Sequence, residues 1–267
     1  MFRKAICGFI AAWLVTSAAQ AVVVTFQDTT ASGNSAAVRD NYMRQDGAAD
    51  TNGGLAVGDV RAYPDVGFAS GKGPRHLQIW FDVSSIPAGS IINSATYGMR
   101  FIRNGASAPA ITGFKLSRFN SGKDWIEGTH VTDTVSAGEP TWNSQKHGTT
   151  LWSTPGATGA ADIDLGTTIT WDKTAALTET VLRTEASLAG WVQGWVNTPA
   201  DNNGMLMWGG VGPGGANNYH LFVVSEDADI ANRPFLTIDY TEVPEPATGL
   251  FLVAGLLPML LRRKRGA

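Results

Sequence analysis

The sequence has 267 residues, of which 16% are charged, 31 are glycine and 9 are tryptophan. Abundant glycine, sparse charge and the lack of long runs of Ala, Leu, Glu and Lys argue against a helical protein and favour a turn-rich β protein. Because all-β sandwiches often exceed about 200 residues as one unit, we expect a single domain instead of two small ones.

Residues 1–21 have the features of a signal peptide. Arg3 and Lys4 form a basic start, residues 5–15 are apolar, and Ala19-Gln20-Ala21 is an A-x-A cleavage site. The apolar stretch is about half the length of a membrane-spanning helix, which argues against the alternative of a permanent anchor. We therefore expect cleavage after Ala21.

Hydrophobic residues between positions 22 and 242 repeat with a period of two, the pattern of half-buried strands. Turn sequences such as Asn104-Gly105 and Asn203-Gly204 separate the repeats. The residues expected to face a core are Leu77, Ile79, Phe81, Val83, Ala95, Tyr97, Met99, Phe101, Phe114, Leu116, Met205, Met207, Leu221, Val223, Leu236, Ile238 and Tyr240. Many short strands with such turns predict an all-β jelly roll or β-sandwich.

One stretch has a helical period instead. The i, i+3, i+4, i+7, i+8 spacing is occupied by Leu188, Trp191, Val192, Trp195 and Val196. Asn197-Thr198-Pro199 ends the pattern, and two internal glycines weaken it. We expect one short helix, of one or two turns, packed across one end of the sandwich.

The C-terminal residues combine three features in order. Val243-Pro244-Glu245-Pro246 precedes an apolar stretch over residues 247–261, which Arg262-Arg263-Lys264-Arg265 follows. The prolines keep the backbone out of regular structure, the apolar stretch suits lipid, and the basic cluster favours the cytoplasmic side. This order resembles the PEP-CTERM sorting signal of Gram-negative bacteria. The resemblance implies that residues 243–267 form a hydrophobic sorting helix with its signals, removed by an exosortase of the inner membrane; a plain anchor is the alternative.

Without these two ends, the domain over residues 22–242 holds 14 basic and 22 acidic residues. This acidic balance makes it a poor match to nucleic acid and to anionic membranes, so no nucleic-acid partner is expected. Cys7, the single cysteine, leaves with the signal peptide. The domain therefore has no disulfide and must be stabilised by its buried apolar area.

A series of motifs runs through the domain, starting with RHLQIWFDVSSIPAGSIINSA over residues 75–95. The later members are Trp125-Ile126-Glu127-Gly128, Thr141-Trp142-Asn143, Trp152 with Gly156-Ala157, residues 191–195, Asn203-Gly204, Ser225-Glu226-Asp227 and Arg233-Pro234-Phe235-Leu236. In sequence and order they resemble DNRLRE domains, also called disaggregatase-related. The resemblance implies a jelly-roll module of a kind attached to polysaccharide-degrading enzymes, which in some members binds acidic polysaccharide. The acidic charge of this domain and the absence of an accompanying catalytic domain depart from that pattern.

Motifs for catalysis are weak. Residues 210–215 satisfy G-x-G-x-x-G, but strand patterns flank them, whereas a dinucleotide site needs a strand followed by a helix. The four histidines lack metal-ligand spacing, and no G-x-S-x-G is present. Glu127 and Glu139, beside Trp125 and Trp142, are the candidate pair for a glycosidase, with turn residues as the alternative. We expect no enzyme.

Four tryptophans lie in or near predicted loops: Trp125, Trp142, Trp152 and Trp208. Because indole faces stack on sugar rings, these are the candidate glycan-binding residues. Packing in a core or at its rim is the alternative. Trp80, Trp191 and Trp195 lie in strand or helix patterns and are expected to be structural.

A candidate calcium site precedes the turn at Gly53. Its oxygen ligands would be Asp40, Asp46, Asp50 and Asn52. The spacing does not match an EF-hand, and a solvated acidic loop is the alternative. Calcium is the one cofactor that the sequence suggests.

Together these features predict an exported, non-enzymatic protein. Sec-dependent export and transient anchoring in the inner membrane would precede its release to the cell-envelope surface or extracellular matrix of a Gram-negative bacterium. There it would bind or scaffold extracellular polysaccharide. A purely structural surface protein without glycan affinity is the alternative, and an unrecognised polysaccharide lyase or glycoside hydrolase is the third possibility.

Overall fold

The structure, a computed structural model, describes residues 20–30, 36–45, 59–62, 73–103, 112–130, 135–171, 178–211 and 220–243. The strands in these ranges are β1 (Ala21–Gln27), β2 (Val38–Arg44), β3 (Asp59–Ala62), β4 (Arg75–Phe81), β5 (Ile91–Arg103), β6 (Thr112–Arg118), β7 (Ser144–Lys146), β8 (Thr150–Leu151), β9 (Ile169–Trp171), β10 (Thr178–Thr184), β11 (Met205–Val211), β12 (His220–Val223) and β13 (Phe235–Thr241). Helix α1 spans Ala186–Asn197, and 3₁₀ turns lie at Pro155–Ala157, Pro199–Asp201 and Ile230–Asn232. The described part of the chain is thus mostly β, as the sequence predicts.

The long strands form two antiparallel sheets. Sheet A has six strands. Five follow the order β1-β13-β5-β12-β3, and the sixth, β10, pairs with the long strand β5. Sheet B has the order β2-β4-β11-β6-β9, and β7 pairs with β8 in a small separate hairpin. Apolar residues from both sheets join in one buried cluster, so the two sheets pack face to face as a sandwich.

The core between the sheets confirms the period-two predictions for most strands. In β4, Leu77, Ile79 and Phe81 are buried on the face that meets sheet A. In β5, the opposing residues include Tyr97, whose ring lies edge-on to that of Phe81 with 6.1 Å between centroids. Alternate side chains of a strand share one face, and this is why the pattern can be found in the sequence.

The prediction for β12 is wrong by one residue for the face that meets sheet B. Phe222 and Val224 belong to the main core, whereas Leu221 is only half-buried and Val223, though fully buried, lies outside that core. The Phe222 ring lies 4.3 Å from that of its cross-strand neighbour Phe101. Since this stretch is apolar at four consecutive positions, alternation cannot identify the inner face.

Helix α1 is longer than the predicted one or two turns, at 12 residues. All five apolar residues of its predicted face are buried. The Gln193 amide donates to the Ser90 carbonyl and accepts from the Ile92 backbone N–H, which fastens the helix beside the start of β5. A Cβ at either internal glycine would meet open space, so their cost in helix propensity is outweighed by packing on the opposite face.

A third layer covers the outer face of sheet B. Residues 119–168, here named the cover segment, lie between β6 and β9 and include β7 and β8. Their apolar side chains form a second core with Met43 of β2 and Leu206 of β11. The other members of this second core are Phe119, Trp125, Trp142, Trp152, Ala157 and Ile163.

The predicted signal peptide and sorting tail lie almost entirely outside the described residues. Residues 1–19, with Ala19, and residues 244–267, with Pro244, Glu245, Pro246 and the four basic residues 262–265, are not described. Ala21 is the first residue of β1 and pairs with Thr241 of β13. Among the residues that are described, no helix has the length and apolar character needed to span a membrane.

Candidate functional site

Three of the four tryptophans predicted to bind glycan are buried in the second core. Trp125, Trp142 and Trp152 are 1%, 5% and 4% exposed. The Trp125 indole N–H donates to the Asn203 carbonyl at 3.0 Å, and that of Trp152 donates to the Thr141 carbonyl at 2.9 Å. Because a covered indole face cannot stack on a sugar, the prediction of a sugar platform is wrong for these three residues, which are packing residues.

The fit of Trp142 shows how closely the cover segment packs on sheet B. Its ring lies 4.7 Å from that of His76, a buried residue on the outer face of β4. The His76 Nδ1 is 2.7 Å from the Gly156 carbonyl oxygen. Gly156 has a φ of 80°, and a Cβ there would lie 2.7 Å from the Trp142 ring. Glycine is therefore required at this position by both backbone and packing.

Two buried carboxylates hold the cover segment together. Asp162 accepts hydrogen bonds from the Ser153 hydroxyl and from the backbone N–H groups of Ser153 and Thr154, and its Oδ1 lies 2.9 Å from Lys123 Nζ. Burial alone would raise the pKa of Asp162, but the hydrogen bonds from Ser153 and Lys123 outweigh it and hold this pKa below its usual range.

Glu139 is the second of these carboxylates. It accepts from the backbone N–H groups of Thr129 and Ser136 and from the Thr129 hydroxyl. Burial alone would raise the pKa of Glu139, but these hydrogen bonds outweigh it and hold the pKa below its usual range. A carboxylate that already accepts several fixed donors is poorly suited to proton transfer, and Glu127, its predicted partner, engages Asp40. The structure therefore does not support Glu127 and Glu139 as a glycosidase pair.

Trp208 is the remaining candidate, and it is only partly buried. It stands on the outer face of β11 at the margin of the second core. Its indole N–H donates to the Ser117 hydroxyl at 3.1 Å, and Lys115 Nζ lies 4.4 Å from the centre of its ring. Across the sheet from Lys115 is Thr170 of β9, which is exposed.

Thr168 extends this polar surface, and its hydroxyl group contacts that of Ser117, which is fully buried. The two hydroxyl oxygens are 2.8 Å apart. The surface formed by Lys115, Thr168, Thr170 and Trp208 is named the Trp208 surface below. It combines an aromatic ring, hydroxyl groups and one ammonium group on a regular sheet, which is a rigid support for a binding site.

A cavity of about 470 Å³ lies within the cover segment. Trp152 contributes to its wall together with Asn143, His147, Leu151 and Pro155. Since Trp152 is 4% exposed, it offers no open ring face to this space. A smaller cavity, of about 180 Å³, lies between Trp80 and Trp195 at the end of the sandwich that α1 covers.

A cluster of three carboxyl groups joins distant parts of the fold. It consists of Asp40 in β2, Glu127 in the cover segment and Glu226 in the loop after β12, with one oxygen from each within 4.8 Å of the others. Asp40 Oδ2 accepts the Ser225 backbone N–H at 2.7 Å, and Glu226 Oε1 accepts the Ser225 hydroxyl at 2.8 Å. Glu127 Oε1 accepts the Asp40 backbone N–H at 3.1 Å.

Burial raises the pKa of each carboxyl group in this cluster, which we name the carboxylate cluster. For Glu127 the charge of Asp40 raises it further, and for Glu226 the charges of Asp40 and Glu127 do so. The pKa of Asp40 is raised mainly by its complete burial. These groups are the described residues best placed to hold a metal ion.

The structure changes the predicted calcium ligands. Asp40 lies within a strand, between the core residues Val38 and Tyr42, and not in a solvated loop. Asp46, Asp50 and Asn52 lie outside the described residues. Glu127 and Glu226 were missed as partners of Asp40, because Glu127 is 87 positions away along the chain and no local spacing signals the contact.

Replacing Asp162 with Asn should lower the free energy of unfolding at pH 7 by about 1.5–3 kcal/mol, the strength of hydrogen bonds to a charged group. Because the folded-state pKa lies below the unfolded value of about 4, this stabilisation is complete above pH 4 and is lost as the pH falls through the folded pKa. Urea unfolding should show a gap between parent and variant that is constant down to about pH 4 and narrows below it. Asp124→Asn, at a side chain that is 66% exposed, is the control and should change little. Equal stability of the parent and Asp162→Asn at pH 7 would contradict the stabilising role of Asp162.

Comparison with known proteins does not identify a family for this chain. No protein-family model matches the chain, and no curated protein is similar to it. Two features of the fold are therefore the basis for inferring its function, namely the Trp208 surface and the largely buried carboxylate cluster.

Proposed function

We propose that this protein is a non-enzymatic, exported jelly-roll module of the DNRLRE type that binds or scaffolds extracellular polysaccharide. The Trp208 surface is the proposed contact with the glycan. It is the one place where a tryptophan predicted to bind sugar keeps part of its ring accessible. This single observation carries the proposal.

The chemistry of the Trp208 surface suits a sugar chain. A sugar ring can stack its C–H groups on the indole, while the hydroxyls of Thr168 and Thr170 and the Lys115 ammonium hydrogen-bond its oxygens. Lys115 now lies over the ring, but an exposed cation–π contact contributes only about 0.5–1 kcal/mol and can be given up to a ligand. The excess of acidic over basic residues in the domain favours a neutral glycan over an anionic one.

Substitution of Trp208 tests the binding proposal. Trp208→Ala should weaken binding to a retained polysaccharide by about 5- to 150-fold, because base stacking on aromatic side chains, the nearest measured analogue, contributes about 1–3 kcal/mol per ring. Affinity electrophoresis through gels containing neutral and acidic polysaccharides provides the measurement. Leu182→Ala is the matched control, since Leu182 is 53% exposed on sheet A, and it should migrate like the parent.

A folded Trp208→Ala variant that is retained as strongly as the parent would exclude the Trp208 surface. Failure of the parent to bind any polysaccharide would instead favour the alternative, a purely structural surface protein. The burial of Trp125, Trp142 and Trp152 favours that alternative, because it leaves only one of the four tryptophans predicted to stack on sugar.

The carboxyl groups support a non-enzymatic role over a lyase or hydrolase. A glycosidase needs two carboxyl groups on either side of a scissile bond that the substrate can reach. In the carboxylate cluster, Asp40 and Glu226 are 1% and 6% exposed. A sugar chain cannot enter between them without opening the sandwich.

The proposed route to the surface rests on the two ends of the sequence. The signal peptide directs Sec-dependent export, the apolar tail holds the protein in the inner membrane, and exosortase releases it by cutting near the Pro-Glu-Pro box. The basic residues 262–265 remain cytoplasmic, because moving clustered positive charge through lipid is costly. The proposed destination is the envelope surface or extracellular matrix of a Gram-negative bacterium.

Changing Pro244, Glu245 and Pro246 together to alanine tests this route. The parent recovered from the envelope or medium should lack residues 1–21 and most residues after the Pro-Glu-Pro box by intact-mass measurement. The triple variant should remain unprocessed in the inner membrane, because the exosortase would no longer recognise it. If the variant were exported and trimmed like the parent, the sorting proposal would be wrong.

A further inference from the structure

The carboxylate cluster brings three acidic groups together, two of them buried, with little positive charge beside them among the described residues. Within the described ranges, neither Asp40 nor Glu226 forms an ion pair. Arg39 is near Glu127, but it donates to the Trp125 carbonyl and lies over the Trp80 ring. Arg233 is paired with Asp28 and also donates to backbone carbonyls. Buried carboxylates in such surroundings need protons or a bound cation.

Two oxygen atoms in the cluster have no hydrogen-bond donor. These are Asp40 Oδ1 and Glu226 Oε2, and both side chains are more than nine-tenths buried. The other oxygen of each group accepts a bond from Ser225, which fixes the orientation of the two carboxylates. A bond between the Glu127 and Glu226 carboxyl groups forms only when one of them holds a proton. Buried oxygens without a donor need a structural explanation, and one bound cation would supply it for both atoms.

We infer that Asp40, Glu127 and Glu226 form a binding site for a calcium ion. Oxygens bound to one calcium ion at about 2.3–2.6 Å lie no more than about 5 Å apart, and the three carboxylates meet this limit at 4.8 Å. Glu127, the least buried of the three, gives the ion a route from solvent. The inference does not depend on glycan binding.

Calcium is favoured over other cations by the ligand set. All candidate ligands are carboxylate oxygens, which hard cations prefer, and no cysteine or histidine belongs to the cluster. Calcium accepts an irregular set of oxygens, completed by water, whereas magnesium demands a near-ideal octahedron. The three ligands come from separate parts of the chain, which suits the flexible coordination of calcium.

An ion at this position would connect the three layers. Asp40 belongs to an edge strand of sheet B, Glu127 to the cover segment, and Glu226 follows β12 of sheet A. Binding an ion in the folded state but not in the unfolded chain raises thermal stability in proportion to its affinity. Calcium would therefore stabilise the attachment of the cover segment to the sandwich.

Thermal unfolding with and without calcium tests the inference. The purified protein is treated with EDTA, dialysed, and titrated with calcium chloride at pH 7 in calorimetry and melting experiments. One ion per chain should bind, and the Tm should rise by about 5–10 °C when calcium exceeds its Kd a hundredfold. Magnesium at equal concentration should give a smaller shift.

Variants locate the site. Glu226→Gln and Asp40→Asn keep the shape of the side chain but remove a charge, and each should lose most of the calcium-dependent shift. In EDTA, Glu226→Gln should melt no lower than the parent, because one like charge has been removed. Glu139→Gln is the matched control, at a glutamate that is 2% exposed and outside the cluster, and it should keep the full shift.

Two results would overturn the inference. The first is a parent protein that neither binds calcium in calorimetry nor changes its Tm, and this result needs no variant. The second is a calcium-dependent shift that persists in folded Glu226→Gln and Asp40→Asn, which would place the ion elsewhere in the chain.

Discussion

The fold depends on the burial of sheet B on both of its faces. One face packs against sheet A in the main core, and the other carries Met43 and Leu206, which are fully buried in the second core. A two-layer sandwich would leave this second apolar face in water, at a cost of about 25 cal/mol for each Å². The cover segment supplies the missing layer, with three tryptophans as its largest contacts.

Both candidate sites follow from the way the cover segment is placed. It packs over β2, β4 and part of β11, and ends short of the Lys115 and Thr170 positions of β6 and β9, so Trp208 keeps part of its ring accessible. The same segment passes the edge of β2, where Glu127 accepts the Asp40 backbone N–H. A backbone N–H at the edge of a sheet needs a hydrogen-bond acceptor. Here Glu127 accepts the Asp40 N–H, and its carboxyl group therefore lies close to those of Asp40 and Glu226. The proposed glycan surface and the proposed calcium site thus share one structural origin.

The sequence predicts strands and the helix well because both have a local period. Leu77, Ile79 and Phe81 can be placed on one face from alternation alone, and Trp191 and Trp195 from helical spacing. For Trp125, Trp142 and Trp152 the sequence left open whether they bind sugar or pack in a core, because a segment with little regular structure has no period that would decide between the two. The meeting of Asp40, Glu127 and Glu226 depends on the packing of three layers, which no spacing along the chain encodes.

The central claim is that the described residues of the cover segment, 119–130 and 135–168, form a packed layer and not a mobile loop. Hydrogen–deuterium exchange followed by mass spectrometry tests it directly, because buried and hydrogen-bonded amides exchange only when the structure opens. The Phe119 N–H bonds to Gly204, that of Trp152 to Asn143 and that of Asp162 to Gly159. Peptides containing these amides should be protected for times comparable to those from β4 and β11. Complete exchange of the cover segment within seconds, while the sheets stay protected, would contradict the account.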